Sequence, residues 1–160
     1  MNKHPVKDIS LIASIASCFT QIGAQLFAIL VIVRTAIAAP PRSLAMFEGE
    51  YGYDSSLFWQ TVPNITLALL VVAIIANWRT TRRNLLLLSL ALFLAGSAVA
   101  ALVVQPGFGK LLANGYSNVV DATLQGHAAT LYTYEWGLWC IALAAGMTLL
   151  VALARPVAAR

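Results

Sequence analysis

Glu135 sits inside an otherwise uncharged apolar run. The surrounding stretch is His127-Ala-Ala-Thr-Leu-Tyr-Thr-Tyr-Glu135-Trp-Gly-Leu-Trp139. An ionised carboxylate at that depth in a membrane is costly unless it is paired or faces water, so such a group is a candidate site by default. His127 precedes it by eight residues. On a continuous helix the two lie roughly 80° apart. Glu135 and His127 are therefore the candidate acid/base pair. Tyr132, Trp136 and Trp139 would wall a pocket beside them. Elsewhere in the chain Gln25, Arg34, Gln60, Asn64 and Gln105 could hold polar atoms of a ligand, and Trp59 could add a further wall.

Other chemistries fit less well. One His and one Glu at this spacing do not form a metal site without ligands from other helices, so no metal is expected. The chain has no paired HxxxH, no haem-ligand pair at matched depth, and no phosphate-cradling glycine pattern. The residues name no cofactor. Cys18 and Cys140 both lie in apolar windows, outside any CxxC or Cys/His cluster. They read as buried thiols. Catalytic Ser or Cys chemistry finds no supporting base in the pattern, and the first helix has too many hydroxyls to single one out.

These side chains need elements to hold them, and the composition says which. Of 160 residues, 60% are hydrophobic and 10% charged, against about 25% charged in a soluble domain. The charges fall between long uncharged windows, and each window is long enough for the ~20 residues that cross a bilayer core. The expected fold is an all-α membrane protein, an up-and-down four-helix transmembrane bundle in a single domain, with helices near 9–34, 57–77, 85–105 and 130–154. Pro40-Pro41 stops the first helix and Gln105-Pro106-Gly107 ends the third. A short interfacial helix is expected near 109–113.

Charge sets the expected orientation. Lys3, Lys7, Arg79, Arg82, Arg83, Arg155 and Arg160 fall on one side, Arg42 and Lys110 on the other, with Arg34 at the boundary. The positive-inside rule then puts both termini in the cytoplasm and the protein in the plasma (inner) membrane. The net charge of +4 is a topology signal, and no basic stripe with interleaved aromatics suggests nucleic acid.

Depth groups the polar residues. At 1.5 Å per residue, Gln25 lies about 24 Å above the inner boundary. Gln60 and Asn64 lie about 5–10 Å below the outer one, and Glu135 about 5 Å below it. All four helices thus bring polar side chains to the outer third. Arg34 is the nearest cation to Glu135 by depth. Ser10, Ser14, Ser17, Gln21 and Gln25 share a broad face of the first helix, a pattern that lets helices pack closely.

The order of features resembles the anthrone-oxygenase-like family of small four-helix membrane proteins. The matching positions are Pro40, the Phe58-Trp59 to Pro63-Asn64 segment, Arg79 to Arg83, Gln105-Pro106, and Glu135-Trp136 with Trp139. Gln105 stands where that family tends to have Asn-x-Pro, and the Arg that often follows the Trp cluster is missing. The resemblance implies binding or oxidation of a hydrophobic aromatic molecule.

Two function classes follow. In one, an outward-facing pocket takes such a molecule, with Glu135 or His127 as acid/base. In the other, the protein is a non-enzymatic membrane subunit or scaffold. Its polar layer, including a Glu135–Arg34 pair, would then serve helix packing, an oligomer or a partner subunit. The lipid bilayer is a partner in both.

Overall fold

The computed structural model describes residues 5–156. Lys3 and Arg160, counted above for topology, lie outside them. Four long helices account for most of the chain: α1 (Val6–Ala36), α2 (Ser56–Ala76), α3 (Arg83–Leu112) and α4 (Ala122–Ala154). All four are long and apolar enough to cross a bilayer. Only 11–28% of each helix's most apolar window is buried within the protein. The remaining apolar surface faces outward, which lipid tolerates and water does not. The chain is an all-α four-helix bundle with the composition of an integral membrane protein.

The helices form a ring in the order α2, α1, α4, α3, and the α2–α3 seam is the thinnest of the four. One core cluster joins all of them. Leu11, Cys18 and Ile22 come from α1, Leu70 and Ile74 from α2, Leu86 from α3, and Leu149 and Ala152 from α4. The α2 and α3 residues in it come from the halves next to their connecting turn. A second cluster, Ala36, Leu44, Leu111, Ala128 and Leu131, seals the opposite end. That cluster contains no α2 residue, so the first half of α2 stands away from the rest. Leu57, Gln60, Thr61 and Asn64 are exposed there.

Close approach of α1 to α4 depends on Gly146. A Cβ at that position would lie 2.9 Å from Ile22 Cδ1 and 3.2 Å from the Phe19 ring.

α3 runs on to Leu112, past the point where Gln105-Pro106-Gly107 predicts an end. Residues Ala100–Val104 form a π-helical turn, and Pro106 then opens a fresh α-helical segment, Gln105–Leu112. A proline ring clashes with the carbonyl four residues back, and its missing N–H is harmless in a first turn. The wider π turn relieves the clash and places Pro106 where its missing donor does not matter. α1 contains a similar π segment, Ala28–Val33, just beyond Gln25. Such segments occur frequently at functional sites.

α4 starts at Ala122, before the expected position. The Asp121 carboxylate accepts from the backbone N–H groups of Thr123 and Leu124 at 2.7 and 3.2 Å, an N-cap that fixes the start. The chain between α1 and α2 is pinned in turn. Ser43 Oγ donates to the Ala36 carbonyl, and the Asp121 N–H donates to the Pro40 carbonyl at 3.0 Å. Near the start of α2, Asp54 accepts from the Ser56 N–H at 2.8 Å, which holds its carboxyl below the usual carboxylate range.

Candidate functional site

The side chains that meet inside the bundle lie on the α1–α4 seam. Gln25 is buried, and its side chain hydrogen-bonds to the half-buried Glu135 carboxyl. One turn along α4, Trp139 Nε1 donates to the Ile22 carbonyl at 3.3 Å. Trp136 packs edge-on against Trp139, with centroids 5.8 Å apart, and against Tyr132 at 6.2 Å. The group is one carboxyl and one amide beside three aromatic rings. The seam stays narrow because Gly146, further along α4, presents no side chain to Ile22 and Phe19.

One turn before Gln25 lies Gln21. Its Oε1 atom is buried and has no hydrogen-bond partner. A buried acceptor without a donor costs about 1–3 kcal/mol. Gln21 therefore adds an unmet demand for a donor on the face of α1 that carries Gln25. Next to it, Ser17 and Thr66 share a 2.7 Å hydrogen bond that ties α1 to α2.

The expected Glu135–Arg34 pair is not formed. Among the described residues the one ion pair joins Asp8 to Arg82, and Arg34 is exposed. Arg34 lies nine residues beyond Gln25, or about 13 Å along the axis. Glu135 is level with Gln25 instead, so the amide takes the place expected of the guanidinium.

Several other predicted site residues lie elsewhere. Gln60 and Asn64 are on the outstanding half of α2, and the Asn64 amide donates back to the Gln60 carbonyl at 2.6 Å. Trp59 is half-buried and packs edge-on against Phe58, with centroids 5.0 Å apart. Gln105 is exposed at the π-to-α junction of α3. His127 lines a groove with Lys110 and Leu131 between α3 and α4, apart from the Gln25–Glu135 contact. Of the predicted residues, the structure thus brings together Gln25, Tyr132, Glu135, Trp136 and Trp139.

Arg82, a topology charge by its place in the sequence, is bonded to both α1 and the end of α4. It is 4% exposed. Its guanidinium donates to Asp8 in the first turn of α1 and to the carbonyls of Leu153 and Arg155 at the end of α4, at 3.1 and 3.0 Å. Asn77 Nδ2 donates to the Lys7 carbonyl beside it at 3.3 Å. The end of the bundle remote from Glu135 is therefore clamped by a buried cation. Nothing in the sequence separates Arg82 from its neighbours Arg79 and Arg83.

Comparison with protein-family models, with curated proteins and with solved structures finds no match. The functional reading rests on the geometry of the seam.

Proposed function

We propose that the protein is an integral membrane protein that binds a small, hydrophobic, aromatic molecule beside Gln25 and Glu135. The single observation that carries this reading is the hydrogen-bonded Gln25–Glu135 contact within the apolar length of the bundle, flanked by Tyr132, Trp136 and Trp139. Polar groups at that depth are retained where they have something to hold. Rings bind rings edge-to-face, and Glu135 with the unpartnered Gln21 oxygen supplies acceptors. The ligand class that fits is an aromatic molecule with a hydrogen-bond donor, such as a phenol. In this reading Glu135 orients that hydroxyl and takes its proton. Oxidation of such a compound is the reaction that the resemblance to anthrone-oxygenase-like proteins suggests.

The test is whether binding needs the hydroxyl. Protein in lipid nanodiscs is expected to bind 1-naphthol about tenfold more tightly than naphthalene, after correction for uptake by empty nanodiscs. A hydrogen bond to a charged group contributes about 1.5–3 kcal/mol.

A second reading is favoured by the same contact. The Gln25–Glu135 hydrogen bond joins α1 to α4, so it also serves as a lock in a non-enzymatic membrane subunit. Equal binding of the two ring compounds would leave that reading in possession.

We also infer that both ends of the described chain face the cytoplasm of a plasma (inner) membrane. Lys7, Arg79, Arg82, Arg83 and Arg155 share one end of the bundle, and that asymmetry supports the orientation. A cysteine placed at Ser55 is expected to react with an impermeant thiol reagent added outside intact cells. Reaction only after lysis would reverse the orientation.

A further inference from the structure

A second site stands apart from the Glu135 cluster. The last turns of α3 and the first turns of α4 enclose a groove of about 470 Å³. Its floor is apolar, built from Leu111, Leu124 and Leu131, and its rim carries Lys110, Asn114 and His127. Gly107 also lines it and lets Leu131 pack directly against α3, since a Cβ there would lie 2.4 Å from Leu131 Cδ2.

The depth of the groove follows from the helices that form it. The hydrocarbon core is about 30 Å thick, or about 20 helical residues. α3 has 30 residues and α4 has 33, so both project past it. Counted from the Arg82 clamp, Lys110 and His127 fall about 7–12 Å beyond the point where the core ends. That is headgroup level, with the leucine floor leading back toward the chains.

The charge of the groove is positive and uncompensated. Among the described residues no carboxylate lies within ion-pairing distance of Lys110. Asp121 is the nearby acid in sequence, and its carboxylate is turned to the α4 N-terminus, where it accepts from Thr123 and Leu124. The Asn114 amide caps the end of α3 by donating to the Lys110 carbonyl at 2.8 Å. The Lys110 ammonium is left to face a ligand.

We propose that this groove binds one anionic phospholipid, with the phosphate between Lys110 and His127 and the first methylenes of a chain along Leu111, Leu124 and Leu131. Three features of the groove match this ligand: a cationic rim, an apolar floor, and a position where the two meet at the edge of the membrane. A zwitterionic lipid brings its own ammonium against Lys110 and loses the match. A free phosphate has no use for the leucine floor.

The experiment is native mass spectrometry of the full chain, released from micelles that contain equimolar phosphatidylglycerol and phosphatidylcholine with the same acyl chains. One phosphatidylglycerol is expected to remain bound, at least about fivefold above phosphatidylcholine. Lys110→Gln with His127→Gln should abolish the preference. Lys110→Arg should keep it, which separates loss of charge from loss of fold. Millimolar inorganic phosphate should leave the bound lipid in place. Equal retention of the two lipids, an unchanged preference in the double variant, or displacement by phosphate would each overturn the assignment.

Discussion

Arg82→Ala is expected to destabilise the protein by about 3–5 kcal/mol, the range for removing one partner of a well-buried ion pair. The cost has two parts. Asp8 loses the guanidinium that faces it, in a place with little water. The carbonyls of Leu153 and Arg155, at the negative end of the α4 dipole, lose a cationic donor. Lysine at 82 should rescue little, because one ammonium cannot reproduce the planar guanidinium that reaches two elements at once. Arg79 is exposed on the same turn and provides the control. Its alanine variant should lie within about 0.5 kcal/mol of wild type. Thermal unfolding in detergent measures both. Coupling is expected as well: Asp8→Asn combined with Arg82→Ala should cost less than the sum of the single changes. Equal effects at 79 and 82 would show that the clamp contributes nothing.

Gly146→Leu is expected to cost about 3 kcal/mol, the upper end of the range for overpacking a tight contact. The new side chain would have to enter space already held by Ile22 and Phe19. Those residues sit in the core cluster shared by all four helices, so they cannot both move away without opening it. Gly137, on the same helix, has nothing within 4 Å of its Cβ position. Gly137→Leu should therefore be tolerated, and the difference between the two variants isolates packing from helix propensity. Similar unfolding temperatures for the pair would show that α1 and α4 do not meet as closely as described.

Much of the fold was legible in the sequence because membrane helices announce themselves by what they lack. Uncharged windows bounded by Lys, Arg and Pro are enough to place four spans. The ends of those spans were harder to read. Pro106 looks like a stop, and nothing in Ala100–Val104 signals the π turn that carries α3 past it. Asp121 did carry a signal, a carboxylate ahead of Ala-Thr-Leu that could cap a helix, and it moves the start of α4 to Ala122.

The candidate site was legible in depth but not in direction. Axial rise placed Gln25 and Glu135 at one level, and there they meet. It placed Gln60 and Asn64 at that level too, but α2 stands outside the second cluster at that end, so they stay exposed. Arg34 has the charge to pair with Glu135 but lies about 13 Å further along α1, whereas Gln25 lies at the level of Glu135 and meets it. Arg82 was hidden for a different reason. A charge that sets topology and a charge that clamps two helices look alike until tertiary structure shows what surrounds them.

Whether Glu135 is a ligand contact is decided by the binding of 1-naphthol and naphthalene to wild type and to Glu135→Leu. A preference for the hydroxyl compound of about tenfold is expected in the wild type, falling to near unity in the variant. The variant should still bind both rings weakly, through Tyr132, Trp136 and Trp139. Near-wild-type thermal stability of Glu135→Leu would show that the loss comes from the site and not from the fold. An undiminished preference for 1-naphthol in a folded Glu135→Leu protein would show that Glu135 does not contact the ligand.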